Sequence, residues 1–394
     1  MAQPIRALLV DDDPMLLALL AAFLESRGYV VEQSEDGADA LQRLAAGSFN
    51  LVVTDRHMPR MDGLALCREL RAQPRDNYVY CIMLTASDDE KSLVAAMEAG
   101  VDDFLAKPLR PAELGARLRA AERVLALEAQ MAARNRELGD AYAQLSRDLE
   151  LARRLQLSQL PPPQDLGGLR CEGVFEASSF VGGDIYDYFT LGDDLAVFYL
   201  ADVSGHGVAA AMLAVAVQHR LRTACIQVTR ALGDVDDLQH AAVRIVTEFN
   251  QRFLQTSDDG LYLTLAFGYL RRSTGHAALL HAGHPPSLLA VAGGAGFEPV
   301  GESGVPVGVL EDPGFEATSI HLAPGSRLVL YTDGISECVR EDGEAFGQKR
   351  LRGLLARERA APSSETCRAV REELRAWRGG PFEDDVTLLV VEPH

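Results

Sequence analysis

Short apolar runs alternate with segments of helical spacing through residues 1–120, and this alternation restricts the fold more than any other feature of the sequence. The strand-like runs occupy residues 5–10, 51–54 and 79–85, with weaker runs near Val30 and Phe104. The helical segments occupy residues 15–25, 38–44, 64–70 and 93–99. Five strand–helix repeats predict an α/β domain with a doubly wound, five-stranded parallel sheet. In such sheets the functional site forms at the carboxyl ends of the strands.

Polar residues follow four of these predicted strands. Asp11 and Asp12 come directly after the first strand, and Asp55 ends the third. Thr85 ends the fourth strand, and Lys107 follows the fifth. Carboxylates packed together repel one another unless a cation lies between them, and Mg²⁺ prefers such oxygen ligands. A lysine across the same crevice adds a point charge that suits a phosphoryl group.

With these residues in place, residues 1–120 resemble a response-regulator receiver domain, which has a flavodoxin-like fold. The resemblance implies that Asp55 accepts phosphate from a sensor histidine kinase or a phosphotransfer protein. It also implies that Asp11, Asp12, Asp55 and the backbone carbonyl of His57 hold Mg²⁺. Three further residues would respond to the phosphoryl group, by the same resemblance: Thr85, Phe104 and Lys107.

A stretch without proline follows Pro111 and runs from residue 112 to residue 160. Apolar or small residues recur in it every seven positions, at Val124, Met131, Leu138, Leu145 and Ala152. Such a repeat predicts a long helix that forms a parallel coiled coil in a homodimer. The alternative is a long helix that packs on its own domains, because Glu128, Asn135 and Gln156 interrupt the second apolar position. We therefore divide the chain into residues 1–122, a helical linker at 123–165, and residues 166–394.

The last segment is richer in strands. Apolar strand-like runs lie at residues 195–201, 261–270, 277–281, 287–291, 327–332 and 386–391. Helical spacing appears at residues 209–223, 238–254 and 363–377. Strands interleaved with long helices predict a layered α+β sandwich.

Four aspartates in this segment stand beside glycine or beside the ends of strand-like runs: Asp184, Asp202, Asp333 and Asp384. Glycine lets backbone carbonyls and waters come close to such a site. Ligand sets made only of oxygen select Mg²⁺ or Mn²⁺ over zinc. Two such ions, about 4 Å apart, can activate a water molecule and clamp a phosphoryl group.

From about residue 155 to residue 394 the chain resembles the SpoIIE/RsbU branch of the PP2C-type serine/threonine phosphatases, whose layers are arranged α-β-β-α. The resemblance implies two Mn²⁺ or Mg²⁺ ions, with Asp202 bridging both and a metal-bound hydroxide as the nucleophile. The implied metal ligands are Asp184, Asp202, Asp333, Asp384 and the carbonyl of Val203. Asp385 stands where many relatives carry asparagine, and His206 is either a general acid or a loop residue.

The two resemblances together imply a two-component response regulator that controls a protein phosphatase. By the resemblance, its substrate is a phosphorylated STAS-type anti-sigma-factor antagonist in a partner-switching pathway. The alternative is an RssB-like adaptor that binds a stationary-phase sigma factor for proteolysis, with little or no phosphatase activity. Such adaptors have lost the metal-binding acids, whereas all four aspartates are present here.

Composition excludes several other classes of function. The net charge of −19 repels nucleic acid and anionic membranes. The six cysteines form no CxxC pair, which argues against a disulfide framework or a thiolate zinc site. The longest apolar runs are roughly half as long as a membrane helix, and the first residues lack the pattern of a signal peptide. We therefore expect a cytoplasmic protein.

Overall fold

A computed structural model describes residues 4–75, 77–86, 90–205, 207–233, 235–255, 260–294 and 296–394. The chain separates into two compact units, Met1–Gln144 and Leu145–His394. The three segments expected from the sequence, with boundaries at residues 122 and 165, stay a prediction.

The first unit has the predicted doubly wound α/β fold. Its elements are β1 (Arg6–Val10), α1 (Pro14–Glu25), β2 (Val30–Ser34), α2 (Gly37–Ala46), β3 (Leu51–Asp55), α3 (Gly63–Ala72), β4 (Tyr80–Thr85), α4 (Glu90–Glu98), β5 (Asp103–Ala106) and α5 (Pro111–Gln159). The five strands are parallel and lie in the order β2-β1-β3-β4-β5. The order reverses beside β1, so the ends of β1 and β3 border the crevice where such sheets bind ligands.

Both faces of the parallel sheet are covered by helices, which explains why its central strands are continuous apolar runs. All residues of β3 and β4 are buried. The helices begin where aspartate side chains accept hydrogen bonds from free backbone N–H groups. Asp13 caps α1 in this way, Asp36 caps α2, and Asp62 caps α3.

Helix α5 confirms the long helix predicted from the proline-free stretch. Its first turns are part of the first unit, where Leu114, Leu118 and Ala121 are buried in the core. Val124, the first position of the predicted heptad repeat, packs against the same core. Farther along, the helix exposes large apolar side chains at Leu127, Met131, Leu138, Tyr142 and Leu145. The coiled coil stays a prediction.

The second unit is a sandwich of two antiparallel sheets. Its elements are β6 (Gln164–Asp165), β7 (Leu169–Glu176), β8 (Asp184–Leu191), β9 (Leu195–Val203), α6 (Val208–Leu232), α7 (Leu238–Leu254), β10 (Leu263–Arg271), β11 (His276–Ala282), β12 (Ser287–Ala290), β13 (Glu298–Val300), β14 (Ala317–His321), β15 (Arg327–Tyr331), α8 (Asp333–Ser336), α9 (Gly347–Arg357), α10 (Ser363–Arg378) and β16 (Val386–Pro393). One sheet has the order β14-β11-β10-β9-β8, and the other has the order β13-β12-β15-β16-β7-β6.

Helices cover the outer face of each sheet, which gives the expected α-β-β-α layers. Helices α6 and α7 pack on the first sheet, and α10 packs on β7 and β16 of the second. Three apolar clusters fill the spaces between the layers. The middle cluster lies between the two sheets and includes Tyr188, Phe198, Leu330 and Leu389. The sheets are therefore held face to face by apolar burial, and their strand ends lie close together.

Sequence patterns missed β8, the strand that begins at Asp184. The first five residues of β8 are all buried, and they include Asp184, Tyr186 and Asp187. Because polar side chains occupy buried positions of this strand, it shows neither an apolar run nor the alternation of a half-buried strand.

The cysteines are consistent with the absence of a disulfide framework. All six are free and buried. Two of them, Cys67 on α3 and Cys81 on β4, lie with their Sγ atoms 3.0 Å apart in the first unit.

Candidate functional site

The first unit brings together three of the residues predicted at the ends of its strands. The Nζ atom of Lys107 lies 2.5 Å from Oδ1 of Asp55 and 2.9 Å from Oδ2 of Asp11. Burial alone would lower the pKa of Lys107, but the hydrogen bonds to Asp55 and Asp11 outweigh it and raise this pKa. A charged ammonium therefore bridges two carboxylates at the ends of β1 and β3.

The other predicted receiver residues lie on, or just after, strands of the same sheet. The backbone N–H of His57 donates to Oδ2 of Asp55 at 2.9 Å, which places the His57 peptide beside the acceptor carboxylate. Asp12 is exposed next to buried Asp11. Thr85 is buried at the end of β4, and the half-buried ring of Phe104 lies 5.9 Å from the Arg117 guanidinium carbon. Oxygen donors on adjacent strands fit a Mg²⁺ ion.

In the second unit, strand pairing places two of the predicted metal-binding aspartates opposite one another. Asp184 at the start of β8 pairs directly with Asp202 near the end of β9. The other sheet contributes Asp333, which follows β15, and Asp384 and Asp385, which precede β16. Since β15 and β16 are neighbours, acids from both sheets meet at one end of the sandwich.

Burial and mutual repulsion perturb these carboxyl groups. Burial, followed by the charges of Asp202 and Asp385, raises the pKa of Asp184 well above its usual value. Burial and the nearby Asp333, Asp384 and Asp385 raise the pKa of Asp202 to about 7. Burial and Asp384 likewise raise the pKa of Asp333. The site therefore favours a compensating positive charge.

The donor atoms fit divalent cations such as Mn²⁺ or Mg²⁺. Oδ1 of Asp184 is buried and accepts no hydrogen bond within the described residues, so it is free to ligate an ion. The other donors are also oxygens, which these ions prefer. Across the described ranges, no three acidic, histidine or cysteine side chains are drawn together tightly enough to form a closed metal-binding group.

Two threonines hold the other oxygen of Asp184. Its Oδ2 accepts hydrogen bonds from Oγ1 of Thr332 at 2.9 Å and from Oγ1 of Thr387 at 2.5 Å. Both threonines belong to the second sheet or its edge, whereas Asp184 belongs to the first. The two hydroxyls therefore fix this carboxylate across the interface between the sheets.

Gly183 brings the backbone of Val203 close to the acids. The N–H of Val203 donates to the carbonyl of Gly183 at 3.4 Å. A Cβ atom at position 183 would lie 2.7 Å from the Val203 carbonyl oxygen. Glycine is therefore required here by a close backbone approach, beside the carbonyl expected to ligate an ion.

Asp385 uses both carboxylate oxygens to hold the loop before β8. Its Oδ1 accepts from N–H and Oγ of Ser178 at 2.8 and 3.0 Å. Its Oδ2 accepts from N–H of Gly183 at 2.6 Å, and a Cβ at Gly182 would overlap this carboxyl group. This arrangement gives Asp385 a structural contact with the loop. His206, the other uncertain residue, lies outside the described residues.

A buried histidine supports the strand opposite Asp202. Nδ1 of His284 lies 2.8 Å from Oγ1 of Thr264, and Thr264 pairs with Asp202 across β10 and β9. Burial lowers the pKa of His284 to about 3, so the imidazole is neutral at physiological pH. In the sequence this residue stands between a glycine and two prolines, which indicates a turn. That pattern does not predict the contact of His284 with Thr264.

An open cleft of about 400 Å³ borders the acids. Its lining is formed by Gly205, Gly334, Glu337, Cys338, Val339, Arg378, Phe382, Glu383 and Asp384. Arg378 donates to Oε1 of Glu383 at 2.6 Å and to the carbonyl of Val339 at 3.2 Å, so its charge is already paired. The cleft has room for a phosphorylated side chain beside Asp384.

Family models match both units. A model described as "Response regulator receiver domain" matches residues 7–119, and one described as "Stage II sporulation protein E (SpoIIE)" matches residues 192–394. In the solved structures, the SiaA-PP2C domain of Pseudomonas aeruginosa has a TM-score of 0.55 and 23% identity. That match covers 64% of this chain and 99% of that one, and it shows the fold.

Curated relatives match one or both regions. Protein IcfG of Synechocystis sp. is 28% identical over 263 residues, which are 62% of this chain and 41% of that protein. Response regulator MprA of Mycolicibacterium vanbaalenii is 44% identical over 117 residues, 30% of this chain and 50% of that protein. The chain thus spans about half the length of the curated relatives it matches. In the described part of the chain, no helix is long and apolar enough to cross a membrane.

The hydroxyl of Thr387 can be tested by replacing it with a valine of similar shape. We expect Thr387→Val to lower the free energy of unfolding of the second unit by about 1–3 kcal/mol, because a buried carboxylate loses a donor. The protein's single tryptophan, Trp377, lies in this unit and reports its urea unfolding by fluorescence. The control is Thr318→Val on edge strand β14, with an expected change within about 0.5 kcal/mol. Equal changes in both variants would contradict the role of the Thr387 hydroxyl.

Proposed function

The chain belongs to the stage II sporulation protein E (SpoIIE) family, and from this premise we propose that it is a receiver-controlled, metal-dependent serine/threonine phosphoprotein phosphatase. One observation carries the proposal: the same chain contains an aspartate–lysine site in a receiver fold and a group of mutually repelling aspartates in a PP2C-like fold. The first suits reversible phosphorylation, and the second suits metal-assisted hydrolysis.

In the proposed receiver step, Asp55 attacks the phosphoryl group of a phosphohistidine donor and forms an acyl phosphate. The P–N bond breaks as the P–O bond forms, and a proton on the other ring nitrogen lets the histidine leave as a neutral imidazole. Lys107 already bridges Asp55 and Asp11, so its ammonium can follow the added phosphoryl oxygens. Asp11, Asp12, Asp55 and the His57 carbonyl would hold Mg²⁺. Thr85, at the end of β4, and Phe104, on the neighbouring strand β5, would respond to the phosphoryl group.

In the proposed phosphatase site, Asp184, Asp202, Asp333, Asp384 and the carbonyl of Val203 would hold two ions. When bound, these ions supply an activated water and a clamp on the phosphoryl oxygens. The chain's own contribution is to place the ligands. Thr332 and Thr387 orient Asp184, and Asp385 shapes the neighbouring loop. The cleft beside Asp384 would admit the substrate side chain.

The proposed substrate is phosphoserine or phosphothreonine on a STAS-type anti-sigma-factor antagonist. The resemblance to the RsbU branch supports this choice. The alternative, an adaptor for sigma-factor proteolysis, does not require acidic ligands. The retention of all four aspartates, with a free oxygen on buried Asp184, therefore favours hydrolysis.

The proposed assembly is a homodimer through α5. The exposed apolar side chains between Leu127 and Leu145 support it, because a solvated helix would not benefit from them. In a dimer these residues would be buried against the partner helix. The proposal places the protein among cytoplasmic regulators, with a kinase or phosphotransfer protein as its upstream partner.

Replacement of Asp202 tests the phosphatase proposal. We expect the full chain to hydrolyse an aryl phosphate with Mn²⁺ and to lose this activity in excess chelator. Asp202→Asn should lower kcat by at least about 100-fold, because the residues that would hold the two metal ions lose a central carboxylate. The control, Asp193→Asn, alters an exposed carboxylate in the turn before β9 and should keep the parent rate. If Asp202→Asn hydrolysed the aryl phosphate as fast as the parent, Asp202 would not be part of the active site.

Loss of the acceptor carboxylate tests the receiver proposal. After incubation with acetyl phosphate and Mg²⁺, intact-mass spectrometry should show one added phosphoryl group on the parent and none on Asp55→Asn. Asp13→Asn is a matched control, because asparagine also caps helices and the change lies in the same acidic run. Equal labelling of all three proteins would show that another residue accepts the phosphate.

A further inference from the structure

Gln156 is a polar side chain buried near the end of α5. It is 4% exposed, whereas its neighbours Leu155 and Leu157 are 58% and 38% exposed. An uncharged amide in such a position costs free energy unless its donor and acceptor atoms are both paired. The reversed exposure of this glutamine and its leucine neighbours therefore points to a specific partner.

That partner is the backbone of Gly182. Nε2 of Gln156 donates to the carbonyl of Gly182 at 2.6 Å, and N–H of Gly182 donates to Oε1 of Gln156 at 3.2 Å. A single side-chain amide thus pairs with both backbone groups of one residue, as an adjacent strand would. This contact ties the end of the helix to the loop that leads into Asp184.

The loop has little freedom to move independently of this contact. Gly183 donates to Asp385 and accepts from Val203. A Cβ at either Gly182 or Gly183 would collide with these neighbours. The next residue is Asp184. A displacement of Gly182 therefore reaches the Asp184 carboxylate and the Val203 carbonyl within two peptide units.

We propose that Gln156 is a positioning residue that couples the placement of α5 to the loop carrying Asp184. The inference rests on the proposed function and adds the residue through which α5 acts on the metal ligands. With Gln156 paired to Gly182, the loop holds Asp184 and the Val203 carbonyl in place for metal binding. A rotation or sliding of α5 withdraws the amide and releases the loop.

The heptad pattern supports this role. Gln156 occupies the second apolar position of the repeat, where a coiled coil would favour an apolar residue. A polar residue there is unsuited to a helix–helix seam, but it is suited to the loop that it contacts. The contact with Gly182 therefore explains why the apolar repeat is interrupted at this position.

The end of α5 has a second attachment that does not involve Gln156. Nε2 of Gln218 on α6 donates to the backbone carbonyl of Gln159 at 3.0 Å, and Leu160 packs against the core. Removing the Gln156 amide therefore leaves the helix end attached. A substitution at Gln156 can therefore test the amide contact by itself.

The test compares Gln156→Ala with Gln159→Ala in the full chain without added metal. Gln159 is exposed on the same helix, and its backbone contact survives the change. Hydrogen–deuterium exchange should be roughly tenfold faster at the amides of Gly182, Gly183 and Asp184 in the Gln156 variant only. Gln156→Glu, which keeps the acceptor but loses the donor, should also exchange faster. Unchanged exchange in both Gln156 variants would overturn the inference.

A second readout distinguishes coupling from simple support. The rate of aryl phosphate hydrolysis with Mn²⁺ is measured before and after phosphorylation of Asp55 by acetyl phosphate. We expect the ratio of the two rates to differ from one in the parent and in Gln159→Ala, and to approach one in Gln156→Ala. A parent that hydrolyses nothing would contradict the proposed function. If Gln156→Ala kept the same ratio of rates as the parent, the inference about Gln156 would be overturned, but the proposed function would stand.

Discussion

Repulsion among buried carboxylates at the edge of two packed sheets is the constraint on which the second unit depends. Asp184 and Asp202 face one another across β8 and β9, and burial together with the charges of neighbouring carboxylates raises the pKa of both. Apolar burial between the sheets holds these groups together despite the repulsion. A divalent cation would turn the same arrangement from a cost in stability into a binding site.

The surrounding polar groups fix the geometry that such a cation would need. Hydroxyls of Thr332 and Thr387 reach across the sheets to one oxygen of Asp184 and leave its other oxygen free. Asp385 holds the preceding loop from one side, and Gln156 holds it from the other. The aspartates proposed to bind metal are thus supported from both sheets and from α5, and the contact of Gln156 with Gly182 is the proposed route from the helix to the site.

The sequence predicted the parallel sheet and α5 because each depends on a local pattern. Strands β3 and β4 are buried throughout and therefore appear as continuous apolar runs. Strand β8 was missed because Asp184 and Asp187 occupy buried positions in it. The role of Gln156 could not be predicted either, since its partner is a backbone group 26 residues away. The acids could be predicted as a set, whereas their support by threonine hydroxyls depends on how the sheets pack.

Metal binding by the acidic group of the second unit can be tested directly by calorimetric titration of the full chain with Mn²⁺. The parent is compared with Asp11→Asn, which removes a proposed ligand from the first unit, and with Asp184→Asn, which removes a proposed ligand from the acidic group of the second unit. We expect Asp11→Asn to keep the Mn²⁺ binding of the second unit and Asp184→Asn to lose it. If all Mn²⁺ binding disappeared with Asp11→Asn, the acidic group of the second unit would hold no ion, which would contradict the proposed phosphatase site.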